Sequence, residues 1–96
     1  MASEREPLTF PAFVISLATT AAIHFGDLPD PEGGPAEANL EGASQIIEVL
    51  GLLEEKTRGN LSIEERQLLE QVLYELRLRF VEAARAAQGG NRIIEP

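Results

Sequence analysis

Residues 8–25, LTFPAFVISLATTAAIHF, run for 18 positions without an aspartate, glutamate, lysine or arginine. In a chain of 96 residues that carries 24 such side chains in all, this stretch decides what folds are open. A segment this apolar must be covered by protein or by lipid. It is at the short limit for a membrane span, holds Pro11, Ser16, Thr19, Thr20 and His24, and lacks flanking lysines to orient it. The acids around it oppose an anionic membrane surface. Burial within protein is therefore the expectation, and membrane association a distant alternative.

Pro11 suits the first turn of a helix, where a missing N–H costs nothing, and Gly26 suits a left-handed stop. These bound a first helix over about 11–25. Phe10, Phe13, Val14, Leu17, Ala18, Ala21 and Phe25 fall on one side, with Ile15, Ala22 and Ile23 elsewhere, so it is apolar almost all round. Residues 26–38 are acidic and rich in proline and glycine, and read as a loop.

Asn39 is a good N-cap for a second helix over about 39–58, whose face repeats Ile46, Ile47, Leu50, Leu53 and Thr57. Lys56 and Arg58 suit its negative end, with Gly59 just beyond. Ser62 and Glu65 then form a capping box that opens a third helix over about 63–88, which Gly89-Gly90 is expected to break. So short a junction folds the two helices back as an antiparallel hairpin. The domain is thus all-α, over residues 10–88, between a polar lead at 1–9 and a tail at 89–96 whose Ile93 and Ile94 either fray or dock into a groove.

Turning about 100° per residue, helix three carries a main stripe of Leu69, Val72, Leu73, Leu76, Phe80, Ala83 and Ala87. Tyr74, Leu78 and Val81 lie on another side, and Gln71, Glu75, Arg79 and Glu82 make a wet face. Three helices of one small chain do not hide that second stripe and an all-round apolar helix one. A second copy does, because symmetric dimers are the commonest oligomers. The expected interface is Phe13, Leu17, Ala21, Tyr74, Leu78 and Val81.

The remaining chemistry is sparse. A net charge of −8 repels phosphate backbones and argues against nucleic acid. Arg77, Arg79 and Arg85 point to three sides of their helix and form no basic stripe; Glu75 with Arg79, and Glu82 with Arg85, are the expected pairs. No cysteine is present, so disulfides and thiolate metal sites are excluded, which is compatible with a reducing cytoplasm. The acidic start argues against a secretory leader.

His24, Asp27, Asp30 and Glu32 are the weak candidates for a metal or an acid/base site. They lack the alternating order of a calcium loop, and a lone histidine at a helix C-terminus is favoured there by the dipole and neighbouring acids. No catalytic residue and no cofactor is expected. The composition and patterning lead to a non-enzymatic, cytoplasmic, homodimeric interaction or adaptor module.

FVISLATTAAIHFGDLPDP and LLEEKTRGNLSIEERQLLEQVLYELRLRFVE, with Ser16-Leu17-Ala18-Thr19, Gly26 to Pro31, Lys56 to Leu61 and Tyr74 to Arg77 as their specific pieces, resemble the bacterial DUF1844 family over roughly residues 10–82. The resemblance implies a small helical bacterial protein. It implies no activity and supplies no catalytic residue.

Overall fold

The computed structural model describes residues 7–33 and 38–92, and shows three α-helices with no strand among them: α1 (Phe10–Phe25), α2 (Leu40–Lys56) and α3 (Ile63–Arg92). Each boundary follows from local chemistry. Thr9 is extended and its Oγ1 accepts from the Ala12 N–H at 3.1 Å, so α1 starts one residue before Pro11 and Pro11 sits in the first turn. Gly26 ends α1 at φ 83°, a conformation that costs glycine little. Its N–H donates to the Ile23 carbonyl, and the next N–H, of Asp27, donates to that of Ala22, both at 2.9 Å. These two bonds close a Schellman motif and fold the chain back over the helix end.

Asn39 caps α2 by accepting from the Gly42 N–H at 2.9 Å. The helix stops two residues short of Arg58: Thr57 still bonds the Leu53 carbonyl through its N–H and Oγ1, but its backbone leaves helical geometry at φ −105° and ψ 7°, and Gly59 follows at φ 82°. The capping box forms in full: Ser62 N–H donates to Glu65 Oε1 at 2.9 Å, and Glu65 N–H to Ser62 Oγ at 3.1 Å. At the other end the expectation fails. The helix runs through Gly89-Gly90 to Arg92, because a helical glycine costs only about 1 kcal/mol and keeps its N–H, unlike proline. The tail residues Ile93 and Ile94 lie outside the described residues.

The helices alternate in direction. Phe10, Val14 and Leu17 of α1 pack with Leu50 and Leu53 of α2 and with Leu69, Val72 and Leu73 of α3. At the opposite end Ala21 and Phe25 pack with Leu40 and Ala43, and with Phe80 and Ala83. So α1 runs antiparallel to α2 and parallel to α3. Ala21 and Ala43 are fully buried, and their small side chains let α1 and α2 approach closely. Leu69, Val72, Leu73, Leu76, Phe80 and Ala83 of the expected stripe face this core; Ala87, beyond it, is exposed.

Helix α1 is not enclosed on all sides. Ile15, Ser16, Thr19 and Thr20 are exposed. The three hydroxyls donate back to the carbonyls of Phe13, Ile15 and Ser16 at 2.8–3.1 Å, so this face carries little polarity outward. Within one chain the bundle thus covers one side of α1 and leaves the other open.

Candidate interaction surface

The turn after α1 brings its first charged side chain, Asp27, against α3. Arg79 grips it with two hydrogen bonds, Nε to Oδ2 at 2.9 Å and Nη2 to Oδ1 at 2.7 Å. The guanidinium also lies over the Phe25 ring, 5.1 Å from its centre, an attractive placement for a cation on an aromatic face. These hydrogen bonds, partly opposed by desolvation and aided by the nearby charge, hold the Asp27 carboxyl below its usual range and raise Arg79. The expected Glu75–Arg79 pair does not form: Glu75 accepts from Gln71 instead, at 3.1 Å. A contact spanning 52 positions of sequence leaves no local signal, whereas an i,i+4 pair does.

That clasp dissolves the candidate metal site. Asp27 is held by Arg79, and Asp30 accepts from the Glu32 N–H at 2.9 Å, closing its own turn. His24 is half-buried against α2, where its carbonyl accepts from the Asn39 N–H. Its ring lies over Gly42, so that a Cβ there would sit 2.7 Å from Nδ1. Glu32 is exposed. Among the described residues no three histidine or acidic side chains stand close enough together to hold a metal ion.

The expected interface residues divide in the same way. Ala21 is fully buried within its own chain, Leu17 packs on the core, and Phe13 is half-buried. Contacts within the chain already use Ala21 and part of Leu17. On α3 the expected stripe is open, with Tyr74 67%, Leu78 48% and Val81 44% exposed.

Beside the stripe runs a groove between α2 and α3, where Ile47, Phe80, Val81, Ser44 and Glu48 line a hollow of about 290 Å³. Arg77 separates it from a second hollow of about 210 Å³ between Glu54, Glu70, Leu73 and Tyr74. The Arg77 guanidinium passes Gly51, where a Cβ would sit 3.5 Å from Nη2. Val49 and Leu52 are also exposed, on α2. The helix-two stripe omitted them because they lie off its repeating face. No helix among the described residues is long and apolar enough to cross a membrane.

The family described as domain of unknown function (DUF1844) matches residues 7–82, and the chain belongs to it. No curated protein and no solved structure matches the chain.

Proposed function

We propose that this DUF1844 chain is a non-enzymatic helical interaction or adaptor module that acts as a homodimer in the cytoplasm, with the outward face of α3 as its contact surface. The observation that carries the reading is the run Tyr74, Leu78 and Val81, three large apolar side chains left open on one face of a helix otherwise rich in charge. Each such side chain gains roughly 1.5–3 kcal/mol when fully removed from water, so leaving them open opposes folding economy unless a partner covers them. Their neighbours fit docking: Ile47, Phe80 and Val81 give one adjoining hollow an apolar floor beside Glu48 and Arg77, and Leu73 and Tyr74 line the other with Glu54, Glu70 and Arg77. The absence of cysteine suits a reducing compartment.

Light scattering on a sizing column tests this directly. The expected mass is twice that of the 10.5 kDa chain at both of two concentrations. Leu78→Glu should bring it to one chain while circular dichroism keeps its helical signal, because the exposed position tolerates charge in the monomer and an interface does not. A variant that stays dimeric with unchanged stability means that α3 does not form the contact.

A further inference from the structure

We propose that two copies pair through α3 in antiparallel fashion, about a two-fold axis that passes between Arg77 and Leu78. The inference rests on the interaction reading above and specifies its partner and register.

Counting about 100° per residue from Leu69, Glu70, Tyr74, Leu78, Val81 and Arg85 all fall between about 100° and 180°. That sector lies off the core stripe of α3, with Glu70, Tyr74 and Val81 along the border of the α2–α3 groove. Gln67, Gln88 and, in the first turn, Ile63 fall in it too, and all eight side chains are exposed. Read backwards about the midpoint of residues 77 and 78, the strip matches itself. Tyr74 meets Val81 of the other copy, Gln67 meets Gln88, and Glu70 meets Arg85. By symmetry each pairing occurs twice.

Arg77 lies beside the axis, where its aliphatic stem covers the second copy's apolar surface and its charged head stays in the α2–α3 groove. Among the described residues neither Arg77 nor Arg85 makes an ion pair within its own chain, and Glu70 has only a contact of 3.9 Å to Arg66. The charges that the register needs are thus free to supply it.

Charge complementarity selects this arrangement over its neighbours. In a parallel pair every residue faces its own copy, so Glu70 meets Glu70 and Arg85 meets Arg85, and both repel. Shifting the antiparallel pair by one turn, so that Tyr74 faces Leu78, places Glu70 against Glu82, where the two repel, and Arg85 against Gln67, so both ion pairs vanish. The axis between 77 and 78 keeps apolar on apolar and acid on base together.

The chain has no cysteine, so single cysteines report distance cleanly. Leu78→Cys should give a disulfide-linked dimer under mild oxidation, because position 78 flanks the axis. Gln88→Cys should not: its two copies would lie 21 residues apart along the paired helices, about 31 Å, against a Cα separation of at most about 7 Å for a disulfide. Glu70→Arg and Arg85→Glu should each weaken the dimer about tenfold at low salt, and the double variant should return to within about threefold of wild type.

Linking at both cysteine positions would indicate a parallel pair and overturn the register. So would linking at neither in a chain that is dimeric, or a double variant as weak as the single ones. In those cases the homodimer reading survives. A wild-type chain that stays monomeric at every concentration overturns the register and the homodimer reading together.

Discussion

Gly42 and Gly51 stand nine residues apart on the same helix, yet they belong to opposite kinds of surface. Around Gly42 the molecule is closed. The His24 ring fills the space that a side chain would need, Asn39 caps the helix beside it, and Ala21, Phe25 and Ala43 are buried next door. Around Gly51 it is open: the nearest atom to an added Cβ is the end of Arg77, at ordinary contact distance, and the groove continues on both sides. The same residue type is a packing necessity at one end of α2 and an allowance at the other. What distinguishes them is whether the neighbour is a held ring or a flexible, solvated side chain.

Substitutions at the two glycines should therefore have opposite signs. Gly42→Ala places a methyl group 2.7–2.9 Å from His24 and Asn39. It should cost roughly 1–3 kcal/mol, the range for overpacking a tight contact, read as a lower urea midpoint with unchanged slope. Gly51→Ala meets no such obstacle and removes an unfavourable helical glycine, so it should raise stability by about 1 kcal/mol. Equal effects at the two sites would erase the contrast between the closed and open ends.

The smallest effect belongs to the clasp that borders the closed end. Asp27→Asn should lower stability at pH 7 by a few tenths to about 1 kcal/mol, since both partners are substantially exposed and solvent screens them. Its pH dependence sharpens the test. The folded-state carboxyl titrates below its unfolded value because Arg79 hydrogen-bonds the charged form. Its contribution is therefore complete above the unfolded value of about 4, and is lost as pH falls through the lower folded value. Urea midpoints of wild type and Asp27→Asn, compared at pH 7 and pH 3, should converge on the acid side. A difference that persists unchanged into acid would show that the charged bridge is not its source.

What could be read from the sequence tracks how far apart the interacting groups are. Asn39, the Ser62–Glu65 box and the Gly26 stop act across three or four residues, so residue type and spacing revealed them. The stripe on α3 was legible for the same reason, because helical periodicity sorts Leu69 and Phe80 from Tyr74 and Leu78. Which of two apolar faces is covered depends on packing between helices. Leu17 and Ala21 thus looked as available as Leu78, although α2 and α3 already occupy them. The Asp27–Arg79 clasp and the seat of His24 on Gly42 were hidden because each joins different helices or their ends. The end of α3 was missed on energetic grounds, since two glycines weaken a helix without stopping it.

The two junctions of the bundle differ in loop-closure entropy. Fourteen residues, 26–39, separate α1 from α2, whereas six, 57–62, separate α2 from α3. Because the entropy grows only with the logarithm of length, the longer connection costs just about 0.7 kcal/mol more. The bonds that fix α1 lie at the ends of that connection, where Gly26 and Asp27 turn back on α1 and Asn39 ties to His24. Lengthening or shortening the intervening acidic stretch would barely change the free energy of assembly. Variation there is thermodynamically almost neutral, while Gly26, Asp27 and Asn39 are the positions at which the connection acts on the fold.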